Sequence, residues 1–244
     1  MMTRELRSLT GIRGVAACLV VLFHMYPSGH GLSLADPVVR HAYIMVDLFF
    51  VLSGFVMAMM YGRLPSDVSP GASYWSFLTR RIARIYPLHA VVLILCIAAT
   101  SLLATGSGPP STWDVSANAL LVQSWGMARS INPPSWSISA EWAAYLAFPI
   151  LAHVCLRRGP IVAACAATVA VAALGSLTLL PGALTHPFGP AGPLNVWSPA
   201  TPAPVVRCLA EFALGMIVWR AGRAEGARWV PVRAGCARPC AASS

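Results

Sequence analysis

Two ionisable residues, Arg13 and His24, interrupt the apolar run LTGIRGVAACLVVLFHMY at residues 9–26. On an α-helix their separation is about three turns plus roughly 20°, so they share one face, roughly 16 Å apart along the axis. A guanidinium binds phosphate through forked N–H donors. An imidazole, with an ordinary pKa of about 6.5, takes the proton of an attacking hydroxyl at neutral pH. The run thus carries the parts for anion binding at one end and general base catalysis at the other. A plainer reading fits the two residues alone: Arg13 anchors the helix at one membrane surface, and His24 caps it near the other.

Further polar residues interrupt the later apolar runs. Asp47 lies in YIMVDLFFVLSGFVMAMMY (43–61), with Ser53 and Gly54 about two turns on. A carboxylate within a span costs about 3 kcal/mol unless paired or solvated, and its partner is expected to be His24 or an arginine. Ser53 and Gly54 are small enough to serve close helix packing. Arg81 and Arg84 in RRIARIYP (80–87) are three apart and share a face, suited either to phosphates or to anchoring at the inner surface. In PSWSISAEW (134–142), Ser135 or Ser137 is placed to cap a helix after the Asn-Pro-Pro breaker. Glu141 follows Ser137 by one turn, Trp136 and Trp142 suit the interfacial belt, and Arg13 or His24 is the expected partner of Glu141. Arg207 and Glu211 are four apart and read as a local ion pair; His89 reads as a satisfied helix residue.

These residues must be held by membrane helices. The chain is 57% hydrophobic, 10% charged, with mean hydropathy +0.67, whereas soluble domains carry about 25% charged residues. About twenty apolar residues span a bilayer, and six runs qualify: 9–27, 43–61, 85–105, 136–156, 160–180 and 204–220. A further stretch, 116–127, is too short and polar for a span and reads as interfacial or re-entrant. The fold class expected is all-α, a polytopic transmembrane bundle. The net charge of +9 comes entirely from arginine. With the N-terminus cytoplasmic, fourteen of the seventeen arginines fall inside, and Arg40, Arg129 and Arg207 fall outside or at the outer edge. Cations at the ends of apolar runs argue against nucleic acid as a partner. The seven cysteines form no CxxC pair or ligand cluster, so neither a disulfide framework nor a metal is expected; the five in apolar runs read as small buried hydrophobes. The organisation expected is a membrane domain over 1–220 and an atypical cytoplasmic tail over 221–244.

Five features in order, the Arg13-x10-His24 helix, VDLFFVLSGF, RRIARIYP, PSWSISAEW and CLAEFALGM, resemble the acyltransferase 3 family of integral membrane O-acyltransferases. The resemblance implies transfer of an acyl group, commonly acetyl, from acyl-CoA to a hydroxyl of a carbohydrate or glycosylated acceptor. It implies no tightly bound cofactor, and a place in the bacterial inner (plasma) membrane. The family's functional positions fall on Arg13 and His24, on Asp47 and Ser53, on Arg81 and Arg84, and on Trp136, Ser137 and Glu141. With about six spans against the family's usual roughly ten, the chain is expected to be C-terminally shortened.

Taken with the resemblance, the spacing implies the following roles for these residues. Arg13, Arg81 and Arg84 hold the CoA phosphates at the inner face, and the pantetheine arm runs outward along the first helix. His24 acts as general base, with Asp47 or Glu141 fixing its tautomer. Ser53, Trp136 and Ser137 are candidates for substrate contact or packing. Two other functions stand beside this one: a catalytically inactive, truncated remnant, and a proton-coupled transporter, because intramembrane ionisable residues mark both enzymes and transporters.

Overall fold

The structure, a computed structural model, describes residues 2–25, 38–39, 41–61, 70–102, 109–179, 194 and 201–224, and among them every regular element is helical. The expected all-α bundle is what forms. Each of the six apolar runs becomes a helix: α1 (Met2–Met25), α2 (Met45–Tyr61), α3 (Pro70–Leu102), α5 (Trp136–Ala152), α6 (Pro160–Thr178) and α7 (Ala203–Ala224). Four helical stretches are long and apolar enough to cross a membrane: Ala42–Tyr61, Tyr74–Leu102, Pro133–Arg157 and Pro160–Thr178. The other two differ for physical reasons. The apolar part of α1 is shorter, Leu9–Met25. Helix α7 carries Arg207, Glu211, Arg220 and Arg223.

Helix α7, despite these charges, is the hub. It packs on α2, α5 and α6, and Arg207, Cys208, Glu211, Phe212 and Met216 along it are buried. Glycine makes the closest of these contacts possible. A Cβ on Gly54 of α2 would overlap the Phe212 carbonyl oxygen of α7, and one on Gly215 would overlap the Val51 carbonyl oxygen of α2. Around this crossing lies an aromatic core in which Phe77 stacks on Phe148 at 5.0 Å and meets Tyr145 edge-on at 5.9 Å. The close-packing role expected of the Ser53 and Gly54 step thus falls on Gly54.

The periphery is apolar on the outside. On α3, Leu88, Val91, Ile94 and Leu95 are exposed, and on α6 Ile161, Val169 and Val171 are exposed; rows of this kind face lipid in a membrane. Helix α3 spans 33 residues and continues through Pro87, so at about 1.5 Å per residue it exceeds a hydrocarbon core of about 30 Å. Helix α1 packs mainly on α2 and on the 3-10 turn Ala42–Ile44 before it.

The stretch 116–127 does not span. It holds the end of a short helix, α4 (Thr112–Ala119), then Leu121 in the left-handed region at φ 59°, a 3-10 turn at Gln123–Trp125, and Gly126 at φ 82°. Ser111 and Asp114 form a reciprocal capping box that starts α4. Asp114 also accepts from the backbone N–H of Arg129 at 3.1 Å, which closes the connection on itself. His89 is satisfied as expected, its Nε2 2.9 Å from the Asn118 carbonyl. The serine caps expected after the Asn-Pro-Pro breaker do not form. Ser135 donates back to the Asn132 carbonyl at 2.7 Å and Ser137 to the Pro134 carbonyl at 3.0 Å, because the 3-10 turn Pro133–Ser135 presents carbonyls there.

Of the cysteines in apolar runs, Cys155 and Cys208 are buried, Cys96 is half-buried, and Cys18 and Cys165 lie on outward faces. Cys236 and Cys240 lie outside the described residues, as do residues 225–244. The expected boundary at residue 220 falls inside α7.

Candidate active site

Helix α1 carries the first two candidates. His24 is exposed, and its Nδ1 lies 2.8 Å from the carbonyl oxygen of Val20, one turn back. A carbonyl can only accept, so Nδ1 carries the proton, and the neutral ring keeps its lone pair on Nε2. Arg13 is half-buried, with its guanidinium 5.9 Å from the centre of the Phe49 ring on α2. Phe23, beside His24, packs on Tyr43 with ring centres 6.1 Å apart. Neither Asp47 nor Glu141 is brought to His24. The tautomer that sequence reasoning gave those carboxylates to fix is set by the helix's own backbone.

Asp47 finds an arginine, but one from α7. Arg207 Nε donates to Asp47 Oδ1 at 2.5 Å, and Nη2 also pairs with that oxygen. The same Nε lies 3.5 Å from Glu211 Oε1, so the local pair expected within α7 exists and is the longer of the two. Arg207 Nη1 donates to the Leu194 carbonyl at 2.6 Å, and the guanidinium lies 5.6 Å from the centre of the Trp136 ring. The Arg207 side chain is 1% exposed. A charge so buried persists only with partners on several sides, and here α2, α5, α7 and the segment at 194 supply them.

Glu141 sits in a second cluster, toward the other end of α2. Its Oε1 accepts from Ser53 Oγ and, at 2.6 Å, from the hydroxyl of Tyr145 one turn on. Beyond Tyr145 lies Arg81. Its guanidinium is 5.8 Å from the Tyr145 ring centre, 5.7 Å from that of Phe77 and 5.9 Å from that of Tyr61. This aromatic cage replaces water around the cation with ring faces. Arg84, by contrast, is exposed. Three helix steps separate the two arginines by about 60°, enough to turn one into the bundle and leave the other at its surface. Trp136 meets Phe50 edge-on at 6.0 Å under Arg207, and Ser137 is engaged with its own turn.

The bundle thus brings Asp47 together with Arg207, and Ser53 with Glu141 and Arg81, while Arg13 and His24 stand on a separate helix leaning on α2. Tyr145 was missed as a partner. Its signal was present: a hydroxyl one turn after a carboxylate in an otherwise apolar helix. No group of three potential metal ligands occurs among the described residues.

A family profile described as an acyltransferase domain matches residues 6–244. The acyltransferase MdmB of Streptomyces mycarofaciens is 35% identical over 236 residues, which cover 88% of this chain and 57% of that protein. Protein 2 in picA locus of Rhizobium radiobacter is 42% identical over 92 residues, 37% of this chain and 43% of that one. A Staphylococcus aureus (strain COL) protein, provisionally named as an O-acetyltransferase, is 24% identical over 159 residues, 61% of this chain and 25% of its own length. The chain therefore spans only part of the length of each of these relatives. No solved structure matches.

Proposed function

This chain belongs to the acyltransferase 3 family, and from that premise we propose that it is a membrane-bound O-acyltransferase that moves an acyl group, in the simplest case acetyl, from acyl-CoA to a hydroxyl of a carbohydrate or glycosylated acceptor. The observation that carries this reading is His24. Its Nδ1 proton is held by the Val20 carbonyl at 2.8 Å, so the basic Nε2 points away from its own helix without needing a carboxylate neighbour.

The steps follow from that tautomer. The acceptor hydroxyl gives its proton to His24 Nε2 as its oxygen attacks the thioester carbonyl carbon. The carbonyl electron pair moves onto oxygen, then returns as the carbon–sulfur bond breaks. The imidazolium delivers the proton to the departing thiolate, so the reaction consumes and releases no net proton. Arg84, exposed on α3, and Arg13, three turns from His24, are suited to the CoA phosphates at the cytoplasmic face. Arg81 serves the same site from within, holding the Tyr145 and Glu141 cluster. Asp47 with Arg207, and Glu141 with Ser53, keep α2, α5 and α7 in register around the helix that carries the base.

The test uses membranes containing the chain, labelled acetyl-CoA and a glycan acceptor. Wild-type membranes are expected to transfer label to the glycan, and His24→Ala to lower the rate by roughly 100-fold or more, the usual contribution of a general base. Undiminished transfer by His24→Ala would overturn the assignment.

A further inference from the structure

Tyr43 is 5% exposed, and its hydroxyl has no hydrogen-bond partner among the described residues. A buried phenol O–H without an acceptor is a net cost to folding, and a fold that keeps one has a use for it or a visitor to satisfy it. Its location suggests the visitor. Tyr43 lies in the turn that leads into α2, with the His41 ring 6.4 Å away and the Phe23 ring of α1 6.1 Å away. The same Phe23 ring is 5.3 Å from His24, edge-on. On the other side, Asp47 one turn on and Arg207 are both within electrostatic reach of the phenol. Asp47 is engaged by Arg207 through Oδ1, and no hydrogen bond joins it to the phenol. The Tyr43 ring thus stands where the helix that bears the base meets the helix that bears Asp47.

We propose that Tyr43 is the oxyanion donor of the acyl-transfer step, an inference that rests on the O-acyltransferase reading above. Helix α1 leans on the bundle mainly through α2 and the turn before it. A pantetheine arm lying along α1 enters between Phe23 and Tyr43 and turns the Phe23 ring aside. The thioester carbonyl oxygen then becomes the acceptor that the phenol lacks. As the acceptor oxygen bonds to the carbonyl carbon and its proton passes to His24 Nε2, negative charge gathers on that carbonyl oxygen. The Tyr43 O–H donates to it, keeping its own proton throughout. When the carbon–sulfur bond breaks the charge leaves with the thiolate, which takes the proton from His24, and Tyr43 is unchanged.

Tyr43→Phe removes only the hydroxyl, and its effects on rate and on stability separate the two explanations. Wild type, Tyr43→Phe and His24→Ala are compared in nanodiscs with labelled acetyl-CoA and the glycan acceptor, alongside their thermal unfolding. The proposal expects Tyr43→Phe to lose roughly 100-fold in kcat, the usual cost of one oxyanion donor. KM for acetyl-CoA should be little changed. The unfolding temperature should stay equal or rise, because an unpartnered polar group has been removed. A Tyr43→Phe rate within a few-fold of wild type overturns the proposal while the transferase reading stands. A fall in rate matched by a fall in unfolding temperature also overturns it, by making the hydroxyl structural. Absence of transfer by the wild-type chain overturns the transferase reading and this proposal with it.

Discussion

Arg207 brings a full charge to a position that is 1% exposed, between two carboxylates. Its worth lies in what its loss would leave behind. Arg207→Leu strands Asp47 without its counter-ion, and breaking a buried pair in this way costs about 3–5 kcal/mol. Replacing Arg207 and Asp47 together by leucine removes the desolvation penalty together with the attraction, so the double variant should recover most of that loss. Unfolding in detergent micelles checks both expectations; a single variant as stable as wild type would show that the pairing contributes nothing. The need for such a partner was legible in the sequence, because Asp47 is a carboxylate in an apolar run. Its identity was not. Residue order gives depth along each helix but not which helix stands beside it. Arg207 had a nearer candidate in Glu211, four residues away, and local spacing hid the tighter contact with α2. The same limit explains Glu141, whose depth was readable and whose partners, Ser53 and Tyr145, were not the Arg13 or His24 expected.

Between elements, the closest fit is the crossing of α2 over α7. Gly54 and Gly215 each face a carbonyl of the opposite helix with no room for a methyl group. Gly54→Ala must push the two backbones apart, and overpacking of this kind costs about 1–3 kcal/mol or more. It should also lengthen the contact between Asp47 and Arg207, so lower thermal stability and lower transfer are expected together. Unchanged unfolding would mean that the helices separate freely. The connection between α3 and α5 offers a different handle. Asp114 is buried, which pushes its carboxyl up, but hydrogen bonds from Ser111 and Arg129 outweigh this and hold it below its ordinary value. A carboxyl depressed on folding stabilises the fold above its unfolded pKa, and that stabilisation is lost as pH falls through the lower folded value. Thermal stability should therefore decline below the ordinary carboxylate range, and Asp114→Asn, which weakens its hydrogen bonds at a cost of about 1 kcal/mol at neutral pH, should remove this part of the decline. An unaltered pH profile in the Asn variant would refute the assignment. Helix existence and order were legible from apolar run length alone. Rotation was not: Arg81 and Arg84 share a face by spacing, yet about 60° sends one into an aromatic cage and the other to the surface.

Across the whole molecule, apolar rows on α3 and α6 lie outside, and α7 with its buried charges lies inside. The distribution suits a protein whose solvent is lipid, where exposed leucine is neutral and polar groups gather inward. The ion pair between α2 and α7 then has a consequence in time. Its members are 160 residues apart in the chain. At a synthesis rate of about 5–20 residues per second, roughly ten to thirty seconds pass between the emergence of Asp47 and that of Arg207. During that interval the carboxylate is already made and its cation is not. Helix α2 must wait at the insertion machinery, or tilt the end that carries Asp47 toward the headgroups, until its partner arrives. The later helix therefore commits the earlier one to its final depth, and the hub assembles only once α7 has emerged.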